Sequence, residues 1–222
     1  MSFMLFAQER IYNNPPNMGL DRERTYIRIF HAVPNAPAVD VYANGMPLAR
    51  NLSYRGFTEY MNIAPGTYNI EIYPAGRRDT PLLRTTVMLP GQSIFTIAAI
   101  GQLPNISLLP ILETKRTIPS NMAMLRFSNL SPTAPNINVT LPDGRTLFGD
   151  VEFSETTDYI PVPPRVYRLH LRDSRTGQVI LDVPNINLAP NRYYTIYAVG
   201  LLGGQPPLQV LIPLDGPSYL NF

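Results

Sequence analysis

One stretch, His31-Ala-Val-Pro-Asn-Ala-Pro-Ala-Val-Asp-Val-Tyr-Ala-Asn-Gly45, constrains this chain more than any other, because it occurs twice. It returns as Asn129-Leu-Ser-Pro-Thr-Ala-Pro-Asn-Ile-Asn-Val-Thr-Leu-Pro-Asp-Gly144, with Pro34 matched by Pro132 and Pro37 by Pro135, each 98 positions on. Both copies carry a Pro-x-Ala-Pro corner, an alternating strand and an Asn-Gly or Asp-Gly turn. A repeat of this kind defines architecture better than chemistry.

The alternation around the corners is that of β-strands. Ile27 and Ile29 alternate with Tyr26, Arg28 and Phe30, and Val39 and Val41 with Asp40 and Tyr42. Asn44-Gly45 suits a type I′ hairpin, which needs positive φ at both residues. Further strands are expected at 58–63, 68–73, 82–89, 94–100 and 107–112, punctuated by Pro65-Gly66, Pro74-Ala-Gly76 and Pro90-Gly91. The second half follows element by element: Leu125 and Phe127 stand for Ile27 and Ile29, Ile137 and Val139 for Val39 and Val41, Tyr159 for Tyr60, and Thr195-Ile-Tyr-Ala-Val-Gly200 for Thr96-Ile-Ala-Ala-Ile-Gly101. Seven or eight short, evenly spaced strands per unit predict an all-β chain of two tandem antiparallel β-sandwich (immunoglobulin-like) domains. The expected divisions are an N-terminal arm at 1–24, repeat 1 at 25–113, a polar linker at 114–121, repeat 2 at 122–215 and a tail at 216–222. Eight linker residues span at most about 28 Å, so the repeats should lie close together. Each has its own apolar alternation, so each is expected to fold separately.

The Ser131-Pro-Thr-Ala-Pro135 corner, the Ala38-Val-Asp-Val-Tyr42 strand, the Pro65-Gly-Thr-Tyr68 turn and the Tyr194-Thr-Ile-Tyr-Ala-Val-Gly200 strand together resemble the bacterial family known as domain of unknown function 4397. The resemblance runs over both repeats, from about residue 25 to 215. It implies a bacterial tandem sandwich protein, often surface-associated or exported, with no established activity. The chain departs from the family pattern at Asn129, which stands in place of His31, and at Asn138, in place of Asp40.

Composition narrows the functional classes. A net charge of +2 does not describe a nucleic-acid surface. The absence of cysteine excludes disulfides and thiolate metal sites, and no run approaches the ~20 apolar residues of a membrane-spanning helix. Residues 1–24 do not read as a secretory signal, since no basic region precedes Phe3-Met-Leu-Phe6. Phe3, Leu5 and Phe6 form a candidate partner contact, able to add to an exposed sheet edge.

The two histidines sit in different settings. His31 shares the inward parity of Ile27 and Ile29 and ends its strand at the corner, where an imidazole, or the amide of Asn129, can bond turn backbone groups. His31, Pro34, Pro37 and Asp40, with Asn129, Pro132 and Pro135, are therefore read as structural corner residues. Pairing the first two strands across Pro34 would place Arg28 opposite Asp40, and likewise Arg126 opposite Asn138. His170 lies between Arg168 and Arg172 on an outward face. No Ser-His-Asp set assembles, two histidines with scattered carboxylates do not make a zinc site, and Asp143-Gly144 with Asp150 lacks the ligand spacing of a calcium loop. Tyr193, Tyr194 and Tyr197 are split between two strand faces, a poor sugar platform.

No catalytic residue, cofactor or metal is expected, and the chain does not read as an enzyme. The leading reading is a structural or adhesive protein working through protein partners or self-association, at a bacterial cell or spore surface. The alternative is a carbohydrate-binding module. Neither reading involves nucleic acid.

Overall fold

The computed structural model describes residues 24–220; the N-terminal candidates Phe3, Leu5 and Phe6 lie outside them. The first half contains β1 (Thr25–His31), β2 (Val39–Ala43), β3 (Met46–Leu52), β4 (Met61–Ile63), β5 (Gly66–Pro74), β6 (Leu83–Leu89), β7 (Ser93–Gln102) and β8 (Asn105–Leu112). The second contains β9 (Ala123–Asn129), β10 (Ile137–Thr140), β11 (Thr146–Val151), β12 (Ile160–Val162), β13 (Val166–Asp173), β14 (Val179–Asn187), β15 (Tyr193–Val199) and β16 (Gln209–Leu211). Each half is a sandwich of two four-stranded sheets, ordered β4-β1-β7-β8 and β3-β2-β5-β6, then β12-β9-β15-β16 and β11-β10-β13-β14.

The sheets are not wholly antiparallel. β1 runs parallel to β7, and β9 parallel to β15. The Pro-x-Ala-Pro corner carries the chain from one sheet to the other instead of folding it back, and β7 enters beside β1 by a second crossing, from β6. β1 and β2 therefore lie in different sheets, which corrects the expected pairing of Arg28 with Asp40 and of Arg126 with Asn138.

Strand alternation accounts for the cores. Ile27, Ile29, Val39, Val41, Ile70, Ile72, Val87 and Ile97 meet between the first two sheets. Leu125, Phe127, Ile137, Val139, Leu169, Leu171 and Ile196 do the same in the second sandwich. Burial of such side chains contributes about 1.5–3 kcal/mol apiece before chain entropy is set against it.

The hairpins after the alternating strands differ in kind. Asn44 and Gly45 both have positive φ (47° and 79°), the type I′ form that matches strand twist. In the second repeat Pro142 precedes Asp143-Gly144. A proline has no N–H to bond across a two-residue turn and fits the second position of a turn with its fixed φ, and the turn closes from Gly144 N–H to the Leu141 carbonyl, with Gly144 alone at positive φ.

A third apolar cluster joins the halves. Phe30, Ala32, Ala98, Ile100 and Ile111 from the first pack with Leu130, Tyr197 and Val199 from the second. These side chains lie on the faces of the β1- and β9-containing sheets that point away from the two sandwich cores. The molecule is thus a four-layer stack, with those two sheets inside and the β2- and β10-containing sheets outside. The two repeats therefore share this third cluster in addition to their own cores.

Candidate functional site

At the corners, the His31 ring spans its turn. Nδ1 accepts the Val33 N–H at 3.3 Å, and Nε2 lies 3.0 Å from the Pro37 carbonyl. Because Nδ1 accepts, the proton sits on Nε2 and donates to Pro37. Asn129 repeats half of this: Oδ1 accepts the Ser131 N–H at 3.2 Å, while Nδ2 donates instead to the Val151 carbonyl. Pro34 and Pro132 each occupy the second position of a turn, closed from Ala36 to Val33 and from Ala134 to Ser131, where a fixed φ is favourable. Pro37 and Pro135 precede the strands that follow. Burial lowers the His31 pKa, against the opposing bond to Pro37.

Asp40 serves the edge strand. Its carboxylate accepts the Asn51 N–H at 2.8 Å and the Gly76 N–H at 3.0 Å. The bond from Asn51 holds its pKa below the ordinary carboxylate value against the cost of burial, with help from Gly76 and Arg50. Asn138 takes the same place with an amide, its Oδ1 accepting the Asp150 N–H at 2.7 Å. Asn51 and Asp150 both have positive φ at irregularities in the edge pairing, so the two side chains pin equivalent bulges. His170 is half-buried beside Asp182, at 3.5 Å. Tyr193, Tyr194 and Tyr197 are all buried and present no stacking platform.

The strongest concentration of polar chemistry lies elsewhere, between the inner sheets, and the strand alternation disguised it. Arg28 and Arg126 occupy outward positions of β1 and β9, the place of a solvated side chain, yet both are 3% exposed. Arg28 donates through Nε to Thr96 (2.7 Å) and through Nη1 to the Leu214 carbonyl of the other sandwich (2.8 Å). Arg126 donates through Nε to Thr195 (2.8 Å) and through Nη1 to the Leu112 carbonyl (2.6 Å). The exchange is reciprocal, as in an isologous dimer interface. Thr96 and Tyr60 donate to Glu113, while Thr195 and Tyr159 donate to Asp215, over 2.5–2.7 Å.

The reciprocity then breaks. Arg28 Nη2 binds the Asp215 carboxylate across the interface at 2.8 Å. Glu113, one methylene longer than Asp215, reaches the Gly216 N–H at 2.8 Å and leaves the Nη2 of Arg126 buried without a hydrogen bond. Gly216 must be glycine for this approach, since a Cβ there would lie 2.8 Å from the Ile94 side chain. Residues 216–218, at the start of the expected tail, form a short 3-10 turn with Gly216 and Pro217 buried, and through Gly216 they contact Glu113 of the first sandwich.

Burial opposes the charge on both guanidiniums, but the surrounding tyrosine and carboxylate oxygens outweigh it, and both pKa values rise. Burial, followed by the neighbouring Asp215, raises the pKa of Glu113 against the pull of Arg28. With two fixed cations, bound carboxylates and little solvent, the network can staple two sheets together. It offers no exposed nucleophile. Among the described residues no group of three or more His, Asp or Glu side chains could hold a metal ion, and no helix is long and apolar enough to cross a membrane.

Glu113, Asp215 and the Thr and Tyr pairs were not singled out from the sequence. The signal was present in the repeat itself, because Arg28, Tyr60 and Thr96 recur as Arg126, Tyr159 and Thr195 at outward positions flanked by apolar residues.

Two stacked all-β units, joined through equivalent faces and derived from one repeat, define a tandem β-sandwich protein. The family model described as "Domain of unknown function (DUF4397)" matches residues 25–140 and 139–217. The chain belongs to that family, in two copies. Comparison with curated proteins gave no match. Among solved structures, the chain is similar to the C-terminal domain of AlgF from P. aeruginosa, at 21% identity and TM-score 0.34 over 43% of this chain and 100% of that one. It is also similar to a streptococcal virulence factor titled for alpha-glucan binding (13%, TM-score 0.28, 89% and 100%). A third is the family CBM26 module of Eubacterium rectale Amy13K, solved with maltoheptaose (10%, TM-score 0.27, 86% and 96%). At these scores the likenesses assign no function.

Proposed function

We propose that the protein is a non-catalytic structural or adhesive element that works through protein–protein contacts as one rigid body of two sandwiches. The observation that carries this reading is where the exposed apolar side chains sit. Among the described residues, the three most exposed large apolar side chains all belong to the outer sheets. Met46 on β3 and Met88 on β6 are 70% and 72% exposed, and Val166 on β13 is 63% exposed. β3 and β6 are the two edges of their sheet. Edge strands carry unpaired backbone groups, and apolar side chains displayed on them favour pairing with another chain. Negative-stain electron microscopy and light scattering of the purified protein test the reading: assemblies, or a captured protein partner, support it. A protein that stays monomeric at high concentration and binds no protein from its own cell surface overturns it.

A second reading, carbohydrate binding, is favoured by one feature of the first outer sheet. An open concavity of about 630 Å³ is lined by Asn44, Asn69, Glu71, Arg84 and Thr86, a set of donors and acceptors suited to sugar hydroxyls. A glycan array decides it, and Arg84→Ala should abolish any hit that uses this surface.

A further inference from the structure

The interface is built from equivalent residues but filled unequally. On one side the Phe57 ring stacks on Phe30 at 4.0 Å between centroids, with Tyr197 at 5.9 Å. Arg28 lies between the rings of Phe57 and Tyr60, at 4.9 and 4.8 Å, with its Nη2 on a carboxylate. On the other side the repeat places Ser128, Thr156 and Ala98 where Phe30, Phe57 and Tyr197 stand. Ser128 and Thr156 are bridged strand to strand as Phe30 and Phe57 are, but they meet through hydroxyls at 2.7 Å. Three ring positions are thus occupied by small side chains.

What results is a cleft of about 280 Å³ between β8 and the segment before β12, lined by Leu109, Leu112, Arg126, Thr156, Asp158 and Tyr159 among others. Arg126 lies over the Tyr159 ring at 4.3 Å; among the described residues no ring covers its other face. Its Nη2 is the buried donor without a partner, a costly state for a charged group. Asp158, which also lines the cleft, is engaged by Arg116 at 3.3 Å.

We propose that this cleft binds a small aryl carboxylate, its ring in the space that Phe57 fills on the opposite side and its carboxylate against the Arg126 guanidinium. The first side shows what such a site accepts, since there a ring and the Asp215 carboxylate meet the same two features of an equivalent arginine. The apolar wall from Leu109 and Leu112 meets the ring, and the guanidinium supplies a charge-assisted bond.

The test is titration of the full chain with benzoate, followed by calorimetry and by backbone amide shifts. Benzoate should bind with a dissociation constant on the order of 1 mM, as befits so small a probe. Benzamide, which lacks the charge, and acetate, which lacks the ring, should each bind roughly tenfold more weakly. The shifted amides should fall in 109–114 and 154–159. Thr156→Phe, which supplies the missing ring from the protein, should abolish binding; Thr156→Leu does the same with a smaller side chain should the larger one prevent folding. Absence of benzoate binding, equal binding of benzamide or acetate, shifts confined to other segments, or binding unchanged in a folded Thr156 variant would each overturn the proposal.

Discussion

His31 and Asn129 perform one shared task, accepting the N–H two residues on, with different side chains. His31→Asn is therefore expected to be tolerated. His31→Ala leaves turn groups unpaired and should cost about 1–3 kcal/mol, read as a shift in the denaturation midpoint. The histidine also adds a pH dependence that Asn lacks. Its folded pKa lies below the ordinary 6.5, so below that value the unfolded chain binds the extra proton first. Its contribution is complete above pH 6.5 and is lost as pH falls toward the folded pKa. Melting temperatures taken from pH 7.5 downward should drop more steeply for the wild type than for His31→Asn; parallel curves would show that the imidazole is not the titrating group. Arg28 makes the larger claim. Arg28→Met leaves Asp215 buried without its cation and should cost about 3–5 kcal/mol, whereas an exposed arginine such as Arg77 should be replaceable within about 0.5 kcal/mol. Chemical denaturation of the two variants makes the comparison.

Among the elements, strands and turns were legible because alternation, Pro and Gly act locally. The expected segments at 68–73, 82–89 and 94–100 became Gly66–Pro74, Leu83–Leu89 and Ser93–Gln102. The parallel pairing was not legible. Alternation around Pro34 reads the same whether the chain doubles back beside β1 or crosses to the opposite sheet, so Arg28 was assigned to Asp40. The interface escaped for a related reason: strand parity separates two faces but does not say what covers the outer one. Arg28 and Arg126 look like solvated residues until Phe30, Ala98, Ile100 and Tyr197 are seen to form a second apolar face around them. At this scale the edges yield a further prediction. Met88→Lys on β6 places a charge on an open edge; it should leave the melting temperature nearly unchanged while reducing the assembled mass in light scattering. Equal assembly by wild type and variant would move the contact surface away from that edge.

As a whole, the molecule follows from gene-encoded repetition plus divergence at the seam. Matching strands build two similar sandwiches, reciprocal arginines exchange carbonyl bonds across the join, and unequal filling with Phe57 on one side and Thr156 on the other distinguishes them. A first repeat cut out at 25–113 would expose Phe30, Ile100 and Ile111 and strand Arg28 without Leu214 and Asp215. It should melt at least about 15 °C below the full chain or aggregate. The central claim, that the seam makes two sandwiches one cooperative body, is tested most directly by differential scanning calorimetry of the full chain. A single transition whose calorimetric and van't Hoff enthalpies agree is the predicted result; two resolved transitions, each with the enthalpy of one sandwich, would contradict it.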